Sequence, residues 1–163
     1  MSQSNDHETG KPRDVLQSIH DGKAMGNVAV PCDGCAACCR SPNITVQLTP
    51  EEAARLPRHV EKDGRTVLAK RADGGCSYLD SNNRCEVYAE RPEVCRLYDC
   101  RLWALLDIKP VGDEEWKERI ESWRFDLTDK EDRALVTKLR NAASQAKGST
   151  ARDIIYGAAD ALS

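Results

Sequence analysis

The chain has 163 residues and a formal net charge of −3 at pH 7, with 40% hydrophobic and 31% charged residues. This balance is typical of a soluble globular protein, and the length suits one domain rather than two. A weakly acidic chain lacks the basic surface that attracts nucleic acid or an anionic membrane, so neither is expected as a partner. No apolar run approaches the roughly 18 residues of a membrane span.

Eight cysteines and a polar N-terminus determine the expected compartment. Residues 1–11 contain no apolar signal-peptide core, so the sequence predicts a cytoplasmic protein. In a reducing cytoplasm, cysteines serve metal ligation or redox chemistry more often than disulfides. The cysteines therefore favour a metal centre, and a disulfide-stapled interaction module is the alternative.

The N-terminal part is predicted to contain a disordered segment and one short helix. Residues 1–11 are rich in Ser, Asn and charge and are expected to be disordered. A helix over residues 12–20 would present Val15, Leu16 and Ile19 on one side, and the glycines that follow would end it.

Four cysteines then fall within eight residues at the spacing C-x2-C-x2-C-C. Two-residue spacers let successive sulfur atoms point at one centre, and small intervening residues let the backbone wrap around it. This loop is interpreted as half of a cysteine cage, consisting of Cys32, Cys35, Cys38 and Cys39. The predicted other half consists of Cys76, Cys85, Cys95 and Cys100.

Short strands and a capped helix are predicted between the two halves. Apolar residues alternate with polar ones over 44–48, which predicts a half-buried strand. Thr49 followed by Pro50 and Glu52 predicts a helix that opens with a capping box. A further strand is expected over 66–68.

The later cysteines are expected on a β-hairpin and a helix. Residues 76–79 and 84–88 flank a polar turn and predict the hairpin. A helix from Arg91 toward Leu106 would carry Cys95 and Cys100, five positions apart and therefore about 140° apart around its axis. Both could bind one ion only if the helix breaks near Asp99.

The C-terminal third is predicted to be helical. Helices are expected over 113–123, after the capping box Thr128-Asp129-Lys130-Glu131, and from Thr150 onward. The predicted fold is a small α+β domain over residues 12–163. It contains a cysteine-cluster metal-binding region over 32–100 and a helical region over 101–163.

The cysteine pattern resembles that of a known family. The loop Cys32-x2-Cys35-x2-Cys38-Cys39 is similar to the CxxCxxCC signature of bacterial cysteine-cluster proteins, a family of zinc- or iron-chelating domains. The second part of the family pattern is matched by Cys76-x2-Leu79, Cys85-x2-Tyr88 and Arg91-Pro92-x2-Cys95-Arg96-x3-Cys100. The resemblance covers about residues 32–100 and implies that the chain chelates zinc or iron through its eight cysteines.

The kind of metal centre stays open at this point. Eight thiolates could form two closed four-thiolate zinc sites. Alternatively, Cys32, Cys35 and Cys38 have the spacing that holds three irons of a [4Fe–4S] cluster, and we favour iron slightly for this loop. Metal binding without catalysis is the main functional hypothesis. The alternative is a redox-active iron–sulfur protein or an enzyme component acting on an unknown substrate.

Several polar residues near the cysteines are candidates for supporting roles. Arginines adjoin four of the cysteines, where they would offset the negative charge of a thiolate-bound metal. These are Arg40, Arg84, Arg96 and Arg101. A group that could bind an anion or move a proton consists of Tyr88, Arg91, Tyr98 and Asp99, for which an architectural role is the alternative.

Overall fold

A computed structural model describes residues 7–8, 10–28, 30, 35–146 and 151–160. These residues form a small α+β domain, which confirms the predicted fold class. The helices are α1 (Pro12–Met25), α2 (Ala37–Arg40), α3 (Pro50–Arg55), α4 (Glu93–Arg96), α5 (Cys100–Leu105), α6 (Glu114–Glu121), α7 (Lys130–Gln145) and α8 (Ala151–Asp160). The strands are β1 (His7–Glu8), β2 (His59–Lys62), β3 (Arg65–Leu68) and β4 (Trp123–Arg124). No helix in this part of the chain is long and apolar enough to cross a membrane.

Two small two-stranded sheets are formed. Strands β2 and β3 make an antiparallel hairpin in which His59 lies opposite Leu68. Strands β1 and β4 pair in parallel, so part of the N-terminal segment contacts the chain near residue 123. The rest of that segment, residues 1–6 and 9, lies outside the described residues, and its disorder stays a prediction.

Most of the apolar side chains form one large cluster, here called the helical core. It joins α1, α5, α6, α7 and α8. Its buried members are Val15, Ile19, Val28, Cys100, Leu102, Trp103, Leu105, Leu106, Trp116, Ile120, Trp123, Val136, Leu139, Ile155 and Ala158. A second cluster, the small core, contains only four buried residues, namely Leu48, Leu56, Leu68 and Tyr78. Cysteines contribute to both clusters, since Cys100 and Cys38 belong to or pack against the helical core and Cys76 packs against the small core.

Helix α1 is longer than predicted. It continues through Gly22, which is buried, and ends at Gly26, whose φ of 72° is in the left-handed region. Gly22 is needed for close packing, because a Cβ there would lie 2.5 Å from Cγ2 and 2.7 Å from Cα of Val28. The chain therefore folds back across α1 at Val28, just before the cysteine loop.

The segment over 44–48 alternates as predicted but pairs only locally. Leu48 is buried and Gln47 is exposed. The backbone forms a single bridge between Gln47 and Val67, flanked by a hydrogen bond from the Leu48 N–H to the Thr66 carbonyl. The capping box of α3 is confirmed, since the Thr49 hydroxyl accepts from the Glu52 N–H and the Glu52 carboxylate accepts from the Thr49 N–H.

Two predicted elements differ from the structure. The single helix expected from Arg91 toward Leu106 is interrupted between α4 and α5. Asp99 is extended there and caps α5 by accepting from the Arg101 N–H. Helix α7 begins one residue later than the predicted capping box requires, because Asp129 rather than Thr128 is its N-cap. The Asp129 carboxylate accepts from the N–H groups of both Glu131 and Asp132, and Asp is preferred over Thr at an N-cap.

Candidate metal centre

Cys39 and Cys76 are brought together by backbone contacts between α2 and the turn before Cys76. The Cys76 N–H donates to the Cys39 carbonyl over 2.7 Å. Gly74, at φ 85°, allows this approach, because a Cβ there would lie 2.7 Å from the Pro42 Cβ. Lys70 strengthens the contact, since its Nζ donates to the Ser41 carbonyl over 2.8 Å.

Cys85 is positioned by the predicted hairpin, which forms as a bridge rather than as two full strands. Leu79 and Cys85 are paired in antiparallel fashion. The Asp80 side chain holds the turn, because its Oδ1 accepts from the Asn82 and Arg84 N–H groups over 2.8 Å each. This pairing places Cys85 beside the segment that carries Cys76.

Cys95 is positioned by α4, which is tied to α3 through a buried carboxylate. Glu52 uses Oε2 for its own capping box and Oε1 to accept from the Glu93 N–H over 2.7 Å. At the other end of α4, the Arg96 carbonyl accepts from the Val28 N–H over 2.7 Å. Both ends of this four-residue helix are therefore fixed by distant parts of the chain.

The thiols of Cys39, Cys76, Cys85 and Cys95 lie close enough for their charges to act on one another. Burial, together with the negative charges of the other three thiolates, raises the pKa of Cys95 to about 12. Burial likewise raises the pKa of Cys76 and Cys85. These four half-buried thiols form what is here called the cysteine group.

Cys39 differs electrostatically from the other members of the cysteine group. A hydrogen bond from Cys38, together with the positive charges of Arg91, Lys70 and Arg40, lowers the pKa of Cys39 to about 7. Burial lowers the pKa of Lys70, while the charges of Cys76 and Cys39 oppose that effect. The site therefore combines one thiol that ionises near neutral pH with three that hold their protons more tightly.

Cys100 is a buried member of the helical core. It is 8% exposed, and its Sγ accepts a hydrogen bond from the Trp123 Nε1 over 3.1 Å. Cys38 is partly buried and packs against the same core. Cys35 lies in the turn before α2 and is partly exposed. Cys32 lies outside the described residues, so its predicted role as a ligand stays a prediction.

Ready-made coordination geometry is absent from the described part of the chain. No three or more His, Cys, Asp or Glu side chains there are placed to hold a metal ion, and the seven cysteines it contains form no disulfide. The chemistry of the donor set nevertheless fits zinc or iron, because both accept thiolates. Lys70, Arg40 and Arg91 would offset the negative charge of a thiolate-bound metal.

The predicted supporting residues fall into separate environments. Arg91 stacks over the Tyr88 ring at 3.7 Å and donates to the Asn27 Oδ1 over 3.1 Å. The Tyr98 hydroxyl instead accepts from the Trp116 Nε1 over 3.0 Å. The structure therefore does not bring these tyrosines together in one group.

The arginines beside the cysteines also differ in their surroundings. Asp99 and Arg101 form a buried ion pair, with Oδ2 and Nη2 separated by 2.6 Å. Arg40 pairs with Glu115 on α6, and Arg84 is exposed. The Nε of Arg96 is buried and has no hydrogen-bond partner among the described residues. Arg40 acts on the charge of Cys39.

Sequence reasoning missed three residues that shape this site. Lys70 interacts with Cys39 and Cys76 but lies six residues before the nearest cysteine. For Gly74 and Glu52 the sequence indicates a local role but not the distant partner that each residue contacts. A glycine in a turn indicates special backbone geometry, and a capping-box carboxylate has a second oxygen that must find a donor when it is buried.

Comparison with known families connects this geometry to a class of proteins. The profile of the CxxCxxCC family, described as "Putative zinc- or iron-chelating domain", matches residues 31–123. The chain belongs to the CxxCxxCC family. This match confirms the predicted resemblance and includes all the cysteines, together with α5, α6 and Trp123. No curated protein and no solved structure matches the chain significantly.

Proposed function

We propose that this CxxCxxCC protein binds zinc or iron through cysteine thiolates. The observation that carries the proposal is the set of backbone contacts that bring together the segments of Cys39, Cys76 and Cys85, with Cys95 close enough for their charges to act on it. Ionising these four thiols together is costly, because each thiolate raises the pKa of its neighbours, and a cation bound among them would offset that cost. The family description is consistent with this chemistry.

Binding requires the thiol side chains to turn toward a common centre and to lose their protons. Metal ions displace protons from cysteine on binding, so the raised pKa of Cys95 does not prevent ligation. Cys32, Cys35, Cys38 and Cys100 are further proposed ligands, and the spacing of the first three suits a [4Fe–4S] cluster. We keep a slight preference for iron in that loop.

The bound metal could give the protein either of two forms of function. In the first, the protein stores, transfers or is held together by its metal and performs no catalysis. In the second, an iron–sulfur cluster carries electrons or belongs to an enzyme. Closed thiolate coordination favours the first form, because an open coordination position is what a catalytic metal needs. Four thiolates of the cysteine group would fill all four positions of a tetrahedral zinc ion, which supports the first form when zinc is the metal.

The test is elemental analysis combined with visible absorption on protein purified without oxygen. Iron with sulfide and a broad band near ~400 nm would support a cluster, whereas colourless protein with zinc would support closed thiolate sites. The variant Cys85→Ser should lose metal, and Asn82→Ser in the same turn should keep it. Absence of both metals, even after incubation with zinc or with iron and sulfide, would refute the proposal.

The disulfide alternative is tested in the same samples by counting reactive thiols after denaturation in a chelator. Eight thiols per chain would exclude a stapled module, since all eight cysteines would then be reduced. Fewer than eight in protein kept without oxygen would favour disulfides over metal ligation.

A further inference from the structure

A cavity of about 240 Å³ opens beside the helical core, between α5, α6, β4 and α7. Its apolar wall is largely aromatic. Trp103, Ile120 and Trp123 are each no more than 9% exposed, and Phe125 is partly buried. The volume lies just below the roughly 300 Å³ at which cavities for drug-sized ligands begin, so an occupant must be small. The described residues that line it include no cysteine, so the cavity is separate from the cysteine group.

Four charged side chains line the same cavity, two of each sign, namely Asp107, Lys109, Glu121 and Arg140. The Lys109 Nζ lies 2.9 Å from the Glu121 Oε1, so these two charges largely offset each other. Asp107 and Arg140 belong to no ion pair among the described residues. The cavity therefore presents one carboxylate and one guanidinium to an occupant.

Arg140 is held so that part of its guanidinium stays available. Its Nε donates to the Leu105 carbonyl over 2.9 Å, which fixes the side chain to the end of α5. Within the described part of the chain, its two Nη groups have no hydrogen-bond partner. The N–H groups of a guanidinium match the two oxygen atoms of a carboxylate, so Arg140 is suited to bind an anionic group.

Asp107 follows α5 in a conformation that usually selects another residue. Its φ is 56°, in the left-handed region, and the next N–H, that of Ile108, donates to the Trp103 carbonyl over 2.9 Å. Glycine and asparagine are the common residues at such a position, and a carboxylate there also lies at the negative end of the helix dipole. Asp107 is therefore a costly choice for the turn itself, which fits a role in binding a cationic group.

We infer that this cavity binds a small zwitterion with an aromatic body, namely an aromatic amino acid. Arg140 binds its carboxylate and Asp107 accepts hydrogen bonds from its ammonium group. The aromatic body packs against Trp103, Trp123 and Phe125, since aromatic rings contribute both apolar area and favourable ring contacts. One charge of each sign on the protein thus meets one of each sign on the ligand.

The experiment is a titration of the ¹⁵N-labelled full chain, as purified, with L-phenylalanine and separately with L-tryptophan. The Nε1–H signals of Trp103 and Trp123 are expected to shift saturably with at least one of them, with a Kd of about 1 mM or lower. Two analogues of phenylalanine isolate the charged contacts. Phenethylamine lacks the carboxylate and 3-phenylpropanoate lacks the ammonium group, and each should bind about tenfold more weakly than L-phenylalanine.

Single substitutions assign the two charges to residues. Arg140→Gln should weaken L-phenylalanine binding about tenfold and leave phenethylamine binding unchanged. Asp107→Asn, which suits the left-handed turn, should weaken L-phenylalanine binding similarly and leave 3-phenylpropanoate binding unchanged. Arg133→Gln is the matched control, because Arg133 is another exposed arginine of α7 that donates to backbone carbonyls. It should bind L-phenylalanine as the wild type does.

Three results would overturn the inference. The first is no saturable shift with either amino acid up to about 10 mM. The second is equal affinity for L-phenylalanine and both analogues, since the charged groups would then contribute nothing. The third is an equal loss of affinity in Arg133→Gln and Arg140→Gln, which would make the effect one of overall charge rather than of this cavity.

Discussion

Replacing Gly22 by alanine should destabilise the protein, although the same change normally stabilises a helix. Alanine is favoured over glycine in a helix interior by about 0.5–1 kcal/mol. At Gly22, however, the new Cβ would lie 2.5 Å from Val28 Cγ2, 2.7 Å from its Cα and 3.0 Å from its N. Rotation of the valine side chain relieves only the first of these contacts.

The backbone at Val28 has little freedom to move away. The Asn27 N–H donates to the Gly22 carbonyl over 2.7 Å, and the Val28 N–H donates to the Arg96 carbonyl over 2.7 Å. Overpacking of this kind costs about 1–3 kcal/mol, which exceeds the helix gain. We expect a net loss of about 1–2 kcal/mol and a decrease in Tm of about 2–8 °C.

The matched control is Gly157→Ala on α8, where a Cβ meets nothing within 4 Å. That variant should gain the ordinary helix increment of about 0.5–1 kcal/mol. Thermal unfolding followed by circular dichroism compares the two variants with the wild type under one set of conditions. An equal rise in Tm for both variants would refute the packing of Val28 across α1. A decrease confined to Gly22→Ala would support it.

Individual side chains and the bound metal should each make a measurable contribution to stability. Asp99→Asn leaves Arg101 buried without its charge partner and should cost about 3–5 kcal/mol in urea unfolding, whereas the exposed Asp73→Asn should cost far less. Thr49→Ala should cost about 1 kcal/mol in the same assay through loss of the capping box. Backbone donors lower the pKa of Asp129, so the stability that its carboxylate contributes is complete above about pH 4 and is lost as the pH falls. The difference in stability between the wild type and Asp129→Asn should therefore become smaller on acidification. A difference that stays constant with pH would contradict this. Chelator treatment should lower the Tm of metal-loaded protein, and an unchanged Tm after verified metal removal would contradict metal-linked folding.

The elements predicted best were those with local sequence signals. Thr49 and Glu52 stand at the spacing of a capping box, and both reciprocal hydrogen bonds form. The alternation around Leu48 correctly gave the side that is buried. In these cases the interactions that decide the structure join residues a few positions apart, so the sequence pattern contains them directly.

The elements predicted poorly depend on distant partners. The helix break at Asp99 has no proline or glycine to mark it, and the buried Arg101 that pairs with Asp99 also donates from Nη2 to the Ser18 Oγ on α1, 83 residues away. Gly22 looked like a helix terminator, yet it continues α1 because Val28 packs against it. The burial of Cys100 in the helical core also depends on a distant partner, since Trp123, which donates to its sulfur, lies 23 residues further along the chain.

The sizes of the two cores indicate where a metal would contribute most to stability. The helical core contains fifteen buried residues, and α1, α5, α6 and α7 pack against one another around it. The small core buries only four, and clusters of that size need disulfides, metals or other constraints to hold a fold. The cysteine group borders that small core through Cys76 and connects it to α2 and α4. A metal bound there would therefore stabilise the part of the protein that its apolar contacts support least.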